Sequence, residues 1–303
     1  MVTQTYKETI RQEVVAQQES REFTQNRMAK HLDISNAQMS NILHPERWDS
    51  VSPAMWRRVS ARLGVKKEHV EGEWRLVTTD NYNIVHEVCR DAQENSRMLG
   101  LIGDTGYGKT EALELYAKKT PKVGYVLCDV LQNQKDWLID VAKSFGLDES
   151  GTKRTILGRI CSWMSKQEDA VLILDDLGKV DDNIYRLIQL IYDRTKGRAG
   201  IVLAGMPNLK AYIMYAVRRD KKGFRELKRR IEYWEVLDEP TPADKQSLCE
   251  LNGIEDKRCI KAIQRGVKDL GTLKNVVINS LRIAGEDPVT LDIVEDQLIK
   301  NAA

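Results

Sequence analysis

The chain has 303 residues, of which 30% are charged and 6% aromatic, and its formal net charge is +2. That length allows two or three domains and a sizeable core. A charge so close to balance leaves any nucleic-acid signal to local clusters. No apolar run approaches membrane-span length, which argues against a membrane partner. The polar start MVTQTYKETIRQE lacks the apolar centre of a signal peptide. Cys89, Cys128, Cys161, Cys249 and Cys259 are scattered and never form a C-x-x-C pair. These features predict a cytoplasmic protein with reduced thiols and no zinc site.

Residues 1–72 read as a helical, polar domain. Within it, Gln25 to Leu43 has the spacing of two short helices joined by a turn. Met28, Ala29 and Leu32 give the first helix an apolar face, and the small Ala29 lets a second helix pack closely. Asp33 falls at the turn, where Asp tolerates a left-handed backbone. Ser35 suits the N-cap of the second helix. Met39 and Ile42 would face inward, leaving Asn36, Gln38 and Asn41 outward, where carboxamides can pair bidentately with adenine. Trp56, Val59 and Leu63 suit a supporting helix. Phe23–Val65 as a whole resembles the phage-repressor type of helix-turn-helix domain, which implies contact with double-stranded DNA. A helical bundle used for protein contacts has the same pattern. His31, His44, His69 and His86 show no metal or triad spacing.

Residues 73–238 alternate apolar runs with helical patterns, the signature of a parallel α/β sheet. Strands are expected at Met98–Gly103, Val123–Asp129, Ala170–Asp175, Gly200–Gly205 and Ile231–Leu237. After the first comes Gly103-Asp104-Thr105-Gly106-Tyr107-Gly108-Lys109-Thr110, which reads G-x-x-x-x-G-K-T, and then Glu111 and a helical pattern to Lys118. Strand, glycine loop and helix are the setting of a phosphate-binding P-loop. The loop's N–H groups would face phosphate, Lys109 would add charge near the β- and γ-phosphates, and the Thr110 hydroxyl could take a Mg²⁺ position. Val171-Leu172-Ile173-Leu174-Asp175-Asp176 is a Walker B pattern, an apolar strand ending in two carboxylates. Asp175 would hold the Mg²⁺ shell, and Asp176 would orient the attacking water. The expected ligands are therefore ATP and Mg²⁺.

This order of motifs resembles the AAA+ branch of P-loop ATPases and implies a sheet of order 5-1-4-3-2. That family has a glutamate where Asp176 stands one methylene shorter, which predicts slow or partner-dependent hydrolysis. Its polar sensor after the fourth strand falls near the apolar Met206, with Asn208 the nearest polar residue. Its trans-acting arginine finger maps onto Leu227-Lys228-Arg229-Arg230-Ile231, giving Arg230 or Arg229. The neighbouring cations, Lys221, Lys222 and Arg225 among them, are candidates for DNA phosphates. Pro240 and Pro242 break the chain, and residues 239–303 read as a small helical domain. There Gly271-Thr272-Leu273-Lys274 resembles a second sensor, with Lys274 in place of the usual arginine.

Repressor-like domain, short ATPase core and small helical domain, in that order, resemble the Mu B family of transposition proteins. Thr78-Thr79-Asp80-Asn81-Tyr82-Asn83 and Leu203-Ala204-Gly205-Met206-Pro207 also look like this group. The resemblance implies an ATPase that binds DNA with little sequence preference. It would form a homo-oligomer, a ring or helical filament on DNA, and deliver target DNA to a DDE-type transposase. Two other classes share these features: a helicase-loader ATPase and a helix-turn-helix transcriptional regulator.

Overall fold

The computed structural model describes residues 4–20, 23–63, 74–285 and 287–302. The chain falls into two compact units, Met1–Glu73 and Trp74–Ala303. The expected boundary at residues 72–73, His69 and the Val65 end of the repressor-like stretch lie outside the described residues.

In the first unit, helices α1 (Gln4–Ser20), α2 (Gln25–His31), α3 (Asn36–Leu43) and α4 (Pro53–Leu63) surround one apolar cluster. Ile10, Met28, Leu32, Met39, Ile42, Trp56 and Val59 are fully buried in it. Thr24 caps α2 by accepting from the Arg27 N–H. Between α2 and α3, Asp33 has φ +54°, and its carboxylate pairs with Arg62 at 3.0 Å. Ser35 caps α3 in a reciprocal box: its hydroxyl accepts from the Gln38 N–H, and the Gln38 side chain accepts from the Ser35 N–H.

The second unit begins with α5 (Asp80–Glu94) and contains five parallel strands: β1 (Met98–Ile102), β2 (Val123–Leu127), β3 (Ala170–Asp175), β4 (Ala199–Gly205) and β5 (Ile231–Val236). Their order is β2-β3-β4-β1-β5, which is 5-1-4-3-2 read from the other edge. The crossover helices are α6 (Lys109–Lys119), α7 (Gln134–Ser144), α8 (Lys153–Lys166), α9 (Asp182–Thr195), α10 (Pro207–Arg218) and α11 (Phe224–Arg230). Side chains alternate along each strand with the period of two that a pleat imposes. Leu99, Leu101, Val171, Ile173 and Val202 pack with α5 and α6 on one face. Met98, Leu172, Leu174, Ile201 and Leu203 pack with α7, α8 and α9 on the other. Central strands covered on both faces must be apolar at every position, which is why β1, β3 and β4 read as unbroken runs. Each such side chain contributes about 1.5–3 kcal/mol by leaving water.

The chain then forms α12 (Pro242–Leu251), α13 (Lys257–Gly266), α14 (Leu270–Ala284) and α15 (Leu291–Ala302) around a separate cluster that includes Leu248, Ile260, Leu273, Val277 and Val294. Pro242 occupies the first turn of α12, where its missing N–H costs nothing, and Thr241 and Asp244 form a capping box there. Trp74 and Val77, from the strip ahead of α5, pack on this cluster. Among the described residues, no helix is long and apolar enough to cross a membrane. All five cysteines are free and buried.

Candidate functional site

The connection from β1 to α6 and the last residue of β3 meet at the carboxyl ends of the parallel strands, where open α/β sheets place their ligand crevice. Gly106 and Gly108 have φ of +78° and +87°. These angles, disfavoured for residues with a Cβ, wrap the loop ahead of α6. Asn81, only 5% exposed, ties the loop to the end of β5 by donating to the carbonyls of Tyr107 and Asp238. The side chain of Lys109 is buried, and its Nζ donates to the Gly103 and Asp104 carbonyls at 2.6 and 2.8 Å. Burial lowers the Lys109 ammonium from its ordinary range, while Asp175, Asp176 and Asp104 pull it back up.

Asp175 is fully buried. A buried carboxylate is costly unless hydrogen-bonded, and here three donors meet it. Thr110 Oγ1 and Tyr125 Oη donate to Oδ2 at 2.7 and 3.1 Å, and the Asp176 N–H donates to Oδ1 at 2.8 Å. Burial, and then the Asp175 charge, push the Tyr125 phenol far up, so it stays a donor. Asp176 has φ +52°, lines the cleft and pairs with Lys179 at 2.7 Å.

The cleft has a volume of about 480 Å³. Thr105, Gly106, Lys109, Thr110, Glu111 and Asp176 line it with polar or loop atoms, and Trp74, Leu76, Val77, Tyr82, Leu248 and Leu270 add apolar side chains. Gly103, Asp104 and Tyr107 belong to the same loop, Asp104 exposed. Lys274 also lines the cleft, its ammonium 5.8 Å from the centre of the Trp74 ring. The start of α14 touches the loop directly: the Leu270 N–H donates to the Gly106 carbonyl at 2.8 Å, and Asp269 caps α14 beside Gly106.

Several expected residues stand elsewhere. Asn208 is not among the residues lining the cleft. Pro207 opens α10 and sets Asn208 in its first turn, in contact with Gly178 after β3. Met206 lines the cleft instead, its Sδ 3.6 Å from Thr105 Oγ1. Arg230 is held by its own subunit, with Nε and Nη2 donating to the Asp193 carboxylate at 2.5 and 2.8 Å. Arg229 is exposed. Lys221 is engaged by Asp182 at 3.0 Å and by Tyr212 Oη at 2.8 Å, which raise its ammonium above the ordinary range. Lys222 and Arg225 are exposed, Arg225 pairing with Asp220. In the first unit, the Gln38 carboxamide oxygen is taken by the cap of α3 and Asn36 donates to Asn26, whereas Asn41 is half-buried. The cap explains Gln38: it is the third residue of its helix, the position that folds back on the cap.

Sequence reasoning missed Tyr125, Lys179 and the apolar wall. Tyr125 reaches Asp175 only because β2 lies beside β3, in a register that pairs Leu127 with Asp175. The wall had a signal, Trp74-Arg75-Leu76-Val77 just ahead of α5, but apolar residues there also suit a core.

Residues 92–213 match the family described as AAA domain. The RuvB Holliday junction branch migration motor of Thermotoga maritima superimposes with a TM-score of 0.46 at 17% identity, over 73% of this chain and 68% of that one. A variant of the same protein gives 0.46 at 16% identity over 72% of this chain and 66%, just under two thirds, of that one. At such scores the likeness says nothing about function. No curated protein matches the sequence.

Proposed function

We propose that this chain is an ATP-dependent, DNA-binding ATPase with little sequence preference, which oligomerises on target DNA, delivers it to a DDE-type transposase and activates that enzyme. The observation that carries the ATPase part is that Lys109 and Thr110 line one cleft together with apolar side chains such as Trp74 and Leu248, and that Thr110 is bonded to the buried Asp175 behind it. A nucleoside triphosphate matches both kinds of lining, with charged phosphates and a flat base. Thr110 and Asp175 present oxygen atoms 2.7 Å apart, a donor set that suits a hard cation, and they would hold Mg²⁺. When bound there, Mg²⁺ neutralises charge on the phosphates.

The loop N–H groups and Lys109 bind and orient the phosphates. Tyr125 holds the Asp175 carboxylate in place. Asp176 orients water, and its pairing with Lys179 supports slow hydrolysis that a partner accelerates. Arg229, exposed at the end of α11, is the better of the two fingers for a neighbouring protomer, because Arg230 is already engaged by Asp193. Residues 1–72 act as a helix-turn-helix domain, the ATPase core spans 73–238, and 239–303 form a small helical domain. Lys222, Arg225 and Asn41 contribute weak DNA contacts that oligomerisation multiplies.

ATP turnover by the full chain, with and without random double-stranded DNA and purified transposase, tests this. Wild type should hydrolyse slowly, and faster with both partners. Asp175→Asn should abolish turnover. Turnover unaffected by Asp175→Asn would remove the proposed site.

A further inference from the structure

Residues 74–78 have no regular secondary structure, and Trp74, Leu76 and Val77 line the cleft. Trp74 and Val77 pack on the C-terminal helical cluster, and the backbone of the strip is anchored separately. The anchor is the side chain of Asn252, the C-cap of α12. Its Oδ1 accepts from the Arg75 N–H at 2.8 Å, and its Nδ2 donates to the Arg75 carbonyl at 3.0 Å and to the Leu248 carbonyl at 2.8 Å. Both amide protons and the oxygen are used, and the pair with Arg75 imitates one rung of a β-ladder. Among the described residues, the hydrogen bonds of 74–78 are those made with Asn252. Leu248, on the same helix as this anchor, lines the cleft.

Resting on the nucleotide-site reading above, we infer that Asn252 is a positioning residue for base recognition: it fixes the Trp74–Val77 strip against α12, so that the base of a nucleoside triphosphate is gripped by its apolar side chains. The phosphate-binding loop takes no hydrogen bond from Asn252, so the effect is confined to the nucleoside part of the ligand. Trp74 depends on this anchor most directly, being next to Arg75, and its ring also carries the Lys274 ammonium.

The test is calorimetric binding of ATP and of inorganic tripolyphosphate to the full chain. Asn252→Leu should weaken ATP about tenfold, the scale of losing the two hydrogen bonds to Arg75, and leave tripolyphosphate within about twofold. Trp74→Leu should give the same selective loss. The double variant should be no weaker than the weaker single one, since both act on one wall. If Asn252→Leu does not fold, Asn252→Asp keeps the acceptor, removes both donors and carries the same comparison. Equal weakening of both ligands, or unchanged ATP affinity, would overturn the role of Asn252. Wild type binding tripolyphosphate as tightly as ATP would overturn base binding by the strip while leaving the phosphate loop intact. Wild type binding neither ligand would instead sink the nucleotide-site reading itself.

Discussion

Asp175 is held by three donors from three parts of the chain: the first turn of α6, strand β2 and its own neighbour Asp176. Removing one donor to a carboxylate costs about 1.5 kcal/mol or more. Tyr125→Phe should therefore slow turnover about tenfold with ATP affinity nearly unchanged, and identical kcat values would show that the phenol has no part in placing the carboxylate. Lys109→Ala should lose nucleotide binding outright, because the loop then has no cation at its centre; binding retained in that variant would place the nucleotide elsewhere. At this scale the sequence was most informative where chemistry follows from local spacing. Lys109 and Thr110 are adjacent, and Asp175 ends an apolar run, so motif and geometry coincide. Tyr125 was invisible because its role depends on which strand lies beside which. Asn208 stands in the first turn of α10 near Gly178 and is not among the residues lining the cleft, a placement that spacing after the fourth strand does not reveal.

The end of α11 offers two adjacent arginines that behave differently. Arg230 has a side chain only 17% exposed and a two-point ion pair with Asp193. Arg230→Ala should lower stability by about 1 kcal/mol, a shift of a few degrees in melting temperature. Arg229→Ala should leave the melting temperature unchanged and reduce turnover in the assembled state. Mixing Arg229→Ala with Lys109→Ala protomers should restore part of the activity, since one supplies intact loops and the other intact fingers. No recovery would argue against a trans role. The contact between α14 and the loop gives a second test. A methyl at Gly106 would stand 2.4 Å from the Asp269 carboxylate, at φ +78°. Gly106→Ala should displace the start of α14 and weaken ATP binding, whereas wild-type affinity would show that this contact is incidental. Strand positions were legible at this scale because central strands are apolar throughout, their order came only from the resemblance to the AAA+ branch, and the start of α3 was legible from its Ser35 cap. The loop-to-α14 contact was not, because it joins residues far apart in sequence through a backbone carbonyl.

Over the whole chain, the reading joins a nucleotide site in the second unit to DNA contacts in both. Single contacts of this kind are weak. Asn36 and Gln38 are taken up by neighbouring side chains or by a cap, and Lys221 by Asp182. Exposed cations such as Lys222 and Arg225 each make only a weak contact with phosphate, so affinity depends on many protomers bound side by side. The most direct test is binding of the purified full chain to random double-stranded DNA of increasing length, with ATP, ADP or no nucleotide, for wild type and Lys109→Ala. The account predicts cooperative binding that strengthens with length, requires ATP and is lost in Lys109→Ala. Tight binding to particular sequences without nucleotide, or a preference for single strands, would contradict it and favour a transcriptional regulator or a helicase loader, respectively.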